Sequence, residues 1–386
     1  MEMNYRTGQT YNKKNLFASQ IFMHLKFKIN IVNLLVFIFL LLAQNAQAQN
    51  YPEQNNTKIV VYSSLDAEEI EPVIKMFSAE TNIEVELISD KFTKLISKIK
   101  LDESATPPDL LITSDTMYIE QAKQEGLLTN LNSFTAKKNI SENFRDAEDF
   151  WFGFAYSAQS IVYNPKKIDT RYINSYDNLA SYILRDQIVF REVKDENILP
   201  LISYIYSYLG KEQSENWAIR MSNIFKKIPS KSDFDNFISV SSNETNVALA
   251  SSASFFKILD SNRPEEIETI KNLKILFPNQ PETNTGPTQL YNVSEYFGTY
   301  INLNSIGLLK NTTNREGAIK FIEFLSGEKA QSFFANKLYK FPVNKSAQIP
   351  EVMQPHMNFE VDHNHYKETN KYRTEALRIT DIKGWK

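Results

Sequence analysis

Three histidines near the C-terminal end have the residue types of a metal site. His363 and His365 form a His-x-His pair, Asp362 precedes them, and His356 lies a few residues upstream. On a strand, both rings of such a pair point to the same side, which is a common arrangement of metal ligands. The residues around them are mostly polar, as is typical of a solvated loop. We therefore expect a loop at this position and not a metal site.

The tyrosines are a second group that could bind a metal. A phenolate oxygen is a hard donor, and a bound trivalent cation favours ionisation of the phenol. Tyr204, Tyr206 and Tyr208 occupy alternate positions of a segment with a helical pattern, so they cannot share one helix face. We expect these three side chains to pack and not to hold a metal together.

Several motifs of enzymes and cofactor-binding proteins are absent from the sequence. The chain has ten glycines but no G-x-G-x-x-G, Walker or G-x-S-x-G motif, which disfavours nucleotide cofactors and serine hydrolysis. It has no cysteine, which excludes disulfides, thiol nucleophiles, thiolate metal sites and a lipid-modified N-terminal cysteine. A formal net charge of -3 with interleaved charges argues against a nucleic-acid partner. We expect neither an enzyme nor a nucleic-acid-binding protein.

The elements that must position a site alternate between strands and helices. Residues 59–62, 85–88 and 109–113 are short apolar runs typical of buried strands, and residues 67–81 carry apolar side chains at helical spacing. Asp66, with Glu69 three residues later, fits a capping box at the start of that helix. The alternation predicts an α/β fold with a mostly parallel sheet.

Residues 151–164 are the pivot of the chain. Aromatic residues beginning at Trp151 precede an apolar stretch that predicts a strand, close to the end of the first half of the chain. Residues 298–309 predict a second strand that crosses between the halves, and Asn314 predicts the start of a helix that ends at Gly327. A strand that joins two halves is expected to line the ligand site.

The N-terminal region has the order of parts found in a secretory signal peptide. A basic stretch comes before an apolar run at 34–43, and Ala46 and Ala48 fit an A-x-A cleavage site. The apolar run is shorter than the roughly 20 residues that a membrane-spanning helix needs. We expect export, cleavage after Ala48 and a periplasmic location, with translation from Met1 or from Met23.

Short motifs along most of the exported chain are those of one known family. They are IVVYSS at 59–64, PPDLLI at 107–112, WFGF at 151–154 with IVY at 161–163, FPNQ at 277–280, GTYIN at 298–302, the helix at 314–331, FPV at 341–343 and the end at 375–385. Together they resemble the type II periplasmic solute-binding proteins of ABC transporters, and within them the ferric-iron-binding family.

This resemblance implies an α/β fold of two lobes with a ligand cleft between them. Lobe 1 is expected to comprise residues 58–154 and 288–345. Lobe 2 is expected to comprise residues 155–287 and 346–386. Residues 1–48 are then an upstream extension and the signal peptide.

The resemblance also implies the position of the ligand site. Asp66 stands where the family has a histidine, and Ser157 and Gln159 stand where it has anion-binding arginines. Tyr163 matches a tyrosine of the family, whereas Ser254 lies where paired iron-binding tyrosines are found. The candidate ligand-binding residues are Asp66, Ser157, Gln159, Tyr163, Ser254 and Phe255, and the candidate metal ligands among them are Asp66 and Tyr163.

The predicted function is the solute-binding component of an ABC importer for ferric iron or an iron chelate. Because the arginines and most of the tyrosines are replaced, we expect a changed ligand, either a metal chelate or a less anionic solute. The expected partners are an inner-membrane permease and this small ligand, the protein is expected to be a monomer, and ferric iron is the one cofactor considered. Two alternatives are a periplasmic interaction protein whose cleft is filled by Phe255 and Phe256, and a hydrolase on the same fold.

Overall fold

The computed structural model describes residues 58–101, 107–192, 195–224, 230, 232–280 and 298–382. All of them belong to one unit, Asn56–Lys386. The predicted signal peptide, the predicted cleavage after Ala48 and the C-terminal end at 383–386 lie outside the described residues. None of the described helices is long and apolar enough to cross a membrane.

The described residues form strands and helices in alternation over much of the chain. The strands are β1 Lys58–Ser63, β2 Glu84–Ser89, β3 Leu110–Thr113, β4 Leu128–Thr129, β5 Trp151–Tyr163, β6 Ile188–Val189, β7 Val247–Ser251, β8 Lys274–Leu276, β9 Ile301–Leu309 and β10 Phe341–Pro342. The α-helices are α1 Ala67–Thr81, α2 Phe92–Leu101, α3 Thr116–Gln124, α4 Phe134–Asn139, α5 Leu199–Ile224, α6 Asp233–Ser241, α7 Ser252–Leu259, α8 Pro264–Ile270, α9 Arg315–Ser326, α10 Glu328–Leu338 and α11 Arg373–Ile382.

The strands follow the order β2-β1-β3-β9-β5-β7-β6. Strand β1 is parallel to β2 and β3, and β6 is parallel to β7. Strands β5 and β9 are antiparallel to all their described partners. The prediction of a mostly parallel sheet is therefore wrong, because two long strands run in opposite directions through the middle of the sheet.

Strand β5 changes its partners along its length. From Trp151 to Ala158 it pairs with β9, and from Gln159 to Tyr163 it pairs with β7. We call the part built on β1–β4, β9, β10 and the first half of β5 lobe 1, and the part built on β6–β8 and the second half of β5 lobe 2. Just before β9, Thr299 pairs with Val361. The predicted residue boundaries of the lobes stay a prediction.

Two helix starts differ in how they are capped. Asn314 accepts a hydrogen bond from the Gly317 N–H at 2.9 Å, as predicted for the start of α9. Asp66 precedes α1 in extended conformation but makes no side-chain capping bond. Its predicted partner Glu69 instead pairs with the Lys340 ammonium group at 2.7 Å. The predicted capping box is therefore absent, because the Glu69 carboxylate is held by a cation from a distant segment.

Gly298 should be a position where a side chain is strongly destabilising. Its φ of +88° is unfavourable for other residues, and an added Cβ would meet the Asp362 nitrogen and the Val361 carbonyl carbon at 2.7 Å. We expect Gly298→Ala to lower the free energy of unfolding by roughly 2 kcal/mol or more. Gly126→Ala is the control, since Gly126 has a φ of +70° with no atom within 4 Å of an added Cβ. Gly126→Ala should lower the free energy of unfolding by about 1 kcal/mol. Equal losses in urea titrations of the two variants would contradict the steric argument.

Candidate functional site

A cavity of about 1010 Å³ lies between the two lobes, and we call it the cleft cavity. Lobe 1 contributes the turns after β1, β2 and β3 together with part of α10. Lobe 2 contributes the loop before α5 and the start of α7. Its lining residues include Asp66, Ser114, Tyr118, Ser157, Gln159, Arg191, Asp233, Ser254 and Asn302. A strand end that opens into a cleft is a common location for ligand sites in α/β proteins.

Four of the six predicted site residues line the cleft cavity, namely Asp66, Ser157, Gln159 and Ser254. Tyr163 and Phe255 are not among its lining residues. Tyr163 lies at the far end of β5, where it pairs with Val247. Phe255 is buried, and its ring packs against the rings of Phe237 and Phe256 at centroid distances of 6.0 Å. The two predicted metal ligands, Asp66 and Tyr163, therefore do not share this cavity.

The two long strands present a row of polar side chains to the cleft cavity. Ser157 on β5 is the register partner of Asn302 on β9, and Gln159 and Asn304 lie two residues further along the same faces. Gln159 and Asn302 are each 2% exposed. The base of the cavity is therefore formed by amide and hydroxyl groups.

A chain of hydrogen bonds joins these amides to a buried carboxylate. The Gln159 Nε2 donates to Asn302 Oδ1 at 2.5 Å, and the Asn302 Nδ2 donates to Asp115 Oδ2 at 2.8 Å. Asp115 also accepts from the Met117 N–H and the Tyr300 hydroxyl, both at 2.8 Å. Burial raises the pKa of Asp115 to about 7, although these three hydrogen bonds oppose the rise. Asp115 thus orients the polar groups at the base of the cavity.

A second cluster of polar side chains, centred on Lys340, connects α1 with β9. The Lys340 Nζ donates to Glu69 Oε2 at 2.7 Å and to Asn304 Oδ1 at 2.9 Å. The Asn304 Nδ2 in turn donates to the Ser114 carbonyl oxygen at 3.0 Å. The charge of this nearly buried lysine is therefore compensated within lobe 1.

The loop before α5 brings lobe 2 into contact with lobe 1. The Glu196 Oε1 accepts from the Phe92 N–H at 3.1 Å, and the Tyr118 hydroxyl donates to the Glu196 carbonyl oxygen at 3.1 Å. The Asn197 carbonyl oxygen accepts from the amides of Gln159 and Asn302, both at 3.2 Å. Burial raises the pKa of the Glu196 carboxyl, and the Phe92 N–H partly opposes this. The two lobes therefore meet across the cavity through backbone and carboxylate groups.

The lobe 2 wall of the cavity contains a buried carboxylate. Asp233 is 5% exposed and accepts from the Ser251 N–H at 3.1 Å. Burial raises its pKa, while the nearby Arg191 charge and the Ser254 hydroxyl lower it. Arg191 itself pairs with Asp195 at 2.5 Å. Ser254 thus faces the cavity beside a carboxylate that the sequence did not point to.

The histidines near the C-terminal end have separate surroundings. The His365 Nδ1 lies 2.9 Å from Asp362 Oδ2. The His363 ring packs edge-on against Phe144, and the His356 ring lies 5.2 Å from the Phe256 ring. Burial lowers the pKa of both His356 and His363. Within the described ranges, no group of three or more histidine, aspartate or glutamate side chains could hold a metal ion.

Several residues of the site had no role in the sequence interpretation. Asn302 and Asn304 could have been found, since polar residues at alternate positions of an apolar strand indicate one polar face. Asp115 is the second residue after the buried strand β3, which is a typical location for a functional side chain. Asn197 and Asp233 gave no local signal, because Asn197 contacts Gln159 and Asn302, and Asp233 contacts Ser251, none of which is close to it in sequence.

Comparison with known proteins gives one family for most of the chain. Residues 63–332 match the family described as "Bacterial extracellular solute-binding protein". "Iron uptake protein A1" from Synechocystis sp. is 29% identical over 329 residues, which are 85% of this chain and 88% of that relative. Both the family match and this relative agree with the predicted resemblance.

Solved structures of similar proteins have the same fold as this chain. A Trichodesmium protein described as IdiA or FutA "in complex with iron and citrate ligands" has a TM-score of 0.74 and 29% identity, covering 85% of this chain and 100% of that chain. A ferric binding protein from Campylobacter jejuni has a TM-score of 0.76 and 26% identity, covering 84% of this chain and 99% of that chain. These similarities confirm the predicted two-lobed α/β fold.

Asp115 should make the stability of the protein fall as the pH rises from about 4 to about 7. In this window the folded protein keeps a proton on Asp115 that the unfolded chain has released, because the pKa of the folded carboxyl is about 7 and the ordinary value is 3.8. Asp115→Asn cannot titrate, so its free energy of unfolding should fall less over the window. Urea titrations at several pH values measure this slope. Asp90→Asn is the control, since the pKa of this partly exposed carboxyl is lowered and its titration lies below the window. Parallel pH profiles of the wild type and Asp115→Asn would contradict the assignment.

Proposed function

Because the chain belongs to the family of bacterial extracellular solute-binding proteins, we propose that it is the solute-binding component of an ABC importer for iron in chelated form. The observation that carries this proposal is the cleft cavity, whose walls come from both lobes and whose base is the polar face of β5 and β9. A ligand in this position contacts both lobes at once.

Capture of the ligand follows from this geometry. A ligand that contacts Asp66 in lobe 1 and Ser254 in lobe 2 has its full set of contacts only while the lobes are close together. The contacts of Glu196 with Phe92 and Tyr118 join the lobes in the same arrangement. Ligand binding therefore favours the closed state, and an inner-membrane permease recognises that state.

The size of the cavity favours a chelate over a bare ferric ion. A water molecule takes about 30 Å³ of liquid volume, whereas the cleft cavity has about 1010 Å³. Cavities of roughly 300–1,000 Å³ are typical of sites for organic molecules. Relatives with iron in their names supply the metal of the proposal, and one of them is described with both iron and citrate. Iron is here the transported substrate, together with its chelator.

The remaining parts of the proposal concern location and partners. The N-terminal region would direct export and be removed after Ala48, and the protein would act in the periplasm as a monomer. Its partners would be the permease and the iron chelate. These points rest on the sequence pattern of residues 23–48 and on the family.

Purified protein should bind at least one iron chelate at one molecule per chain. We expect iron and chelator to co-elute with the protein in gel filtration after incubation with ferric citrate or with a ferric trihydroxamate. A chelate at 100 times its Kd should stabilise the protein by about 2.7 kcal/mol, which raises the melting temperature by several degrees.

Ser254→Trp should abolish this binding, because the indole ring would occupy the cleft cavity beside Asp233. Ser97→Trp is the matched control, since Ser97 is exposed on α2 and does not line the cavity. A wild type that retains no iron and shows no melting shift with any chelate would contradict the transport function. That result would favour a periplasmic interaction protein.

A further inference from the structure

Gln159 presents a hydrogen-bond acceptor without a partner at the base of the cleft cavity. Its Nε2 donates to Asn302 Oδ1 at 2.5 Å and to the Asn197 carbonyl oxygen at 3.2 Å. Its Oε1 is buried and has no hydrogen-bond partner among the described residues. The side chain is 2% exposed and lines the cavity. A buried acceptor without a partner is costly, so a group that donates to it would bind favourably.

The orientation of the Gln159 amide is set by two acceptors in its surroundings. The Asp115 carboxylate accepts from the Asn302 Nδ2 at 2.8 Å, which turns the Asn302 Oδ1 towards Gln159. The Asn197 carbonyl oxygen accepts from both amides, at 3.2 Å each. A reversed Gln159 would place its oxygen against these two oxygens and lose both hydrogen bonds. The Nε2 is therefore held inside the network, and the Oε1 is left for a ligand.

We propose that Gln159 is a specificity-determining residue of this site and that its Oε1 selects iron chelates whose chelator carries N–H or O–H donors. This inference rests on the proposed function and names the class of chelate that it transports. Asp115 and Asn302 act as positioning residues, since they contact Gln159 and fix which of its two polar atoms is free. Chelates that expose only carboxylate oxygens are disfavoured at this point.

The discrimination follows from the pairing of polar groups. A chelator amide or hydroxyl hydrogen satisfies the Gln159 Oε1, whereas a carboxylate oxygen would face another acceptor in a buried place. A site built around one polar partner rejects ligands that leave that partner unpaired. We expect a preference of about tenfold or more for the donor-bearing chelate, since one hydrogen bond of this kind contributes about that factor.

Six cationic side chains line the cleft cavity: Lys91, Arg191, Lys257, Lys337, Lys340 and Arg373. Lys91, Lys257 and Lys337 are all exposed, so water solvates their ammonium groups. Exposed charges of this kind contribute little to binding and are screened by salt. The buried Lys340 is already paired with Glu69, and Arg191 is paired with Asp195. Arg373 is partly exposed, and its Nε has no hydrogen-bond partner among the described residues. It is common to the wild type and the Gln159 variants, so a comparison between them isolates the effect of the buried amide.

Two chelates and two substitutions test the proposal. The probes are ferrioxamine B, a trihydroxamate with amide N–H groups and an ammonium group, and ferric citrate, whose outer groups are carboxylates. Titration calorimetry at 0.15 M salt gives the Kd for the purified wild type, Gln159→Met and Gln159→Glu. Gln159→Met removes the acceptor, whereas Gln159→Glu keeps an acceptor at the same length. Gln354→Met and Gln354→Glu are controls at an exposed glutamine.

The expected result is tighter binding of ferrioxamine B than of ferric citrate by the wild type. Gln159→Met should weaken the binding of ferrioxamine B about tenfold and change the Kd of ferric citrate by no more than about twofold. Gln159→Glu should bind ferrioxamine B at least as well as Gln159→Met. Melting curves check that each variant folds, and if Gln159→Glu does not fold, Gln159→Met alone decides.

Two results would overturn the proposal while the proposed function stands. One is tighter binding of ferric citrate than of ferrioxamine B by the wild type. The other is an equal loss of affinity for both chelates in Gln159→Met, since a merely structural role of Gln159 would affect both. Binding of neither chelate by the wild type is a different result. It would overturn the proposed function and this inference together.

Discussion

The site depends on one strand that is hydrogen-bonded to both lobes. Strand β5 pairs with β9 as far as Ala158 and with β7 from Gln159 onward. Side chains on a strand alternate between its two faces, so Ser157 and Gln159 must point to the same face. Ser157 precedes the change of partner strand, and Gln159 follows it. Any movement of one lobe relative to the other must therefore keep the two residues close together. The base of the cleft cavity is fixed, whereas its walls belong to separate lobes.

The buried polar network gives this base its chemical character. Asp115 is fully buried, and such a carboxylate is tolerated only because three donors surround it. One of these donors is the Asn302 amide, whose orientation is set by Asp115 and in turn sets the orientation of the Gln159 amide. A carboxyl group buried behind the site thus determines which atom is presented at its surface. The walls add hydroxyl and carboxylate groups, among them Ser254 and Asp233, which suit a polar organic ligand.

The sequence predicted the framework well, since its signals are local or belong to long apolar strands. The crossing strand from Trp151 and the cap at Asn314 are found where the pattern placed them. The capping box at Asp66 did not form, because Lys340 holds Glu69 from more than 270 residues away. The mostly parallel sheet was wrong for a related reason, since the return of β9 against β5 depends on tertiary structure.

The candidate site was predicted in part, and the errors have simple geometric causes. Ser254 and Phe255 are neighbours on α7, so they face about 100° apart, and the serine lines the cavity while the phenyl ring enters the core. Tyr163 is four residues beyond Gln159 on an extended strand, which places it roughly 13 Å further along. Asp115 and Asn302 are 187 residues apart, so no local pattern could connect them.

Hydrogen exchange measured by mass spectrometry, with and without an iron chelate, tests the central claim most directly. The claim is that a ligand in the cleft cavity joins the two lobes over the polar face of β5 and β9. The account predicts slower exchange in peptides from both lobes that contain lining residues of the cavity, namely Asp66 and Ser114 in lobe 1 and Asn197 and Ser254 in lobe 2. Slower exchange in peptides of one lobe only, or in peptides far from the cavity, would contradict it.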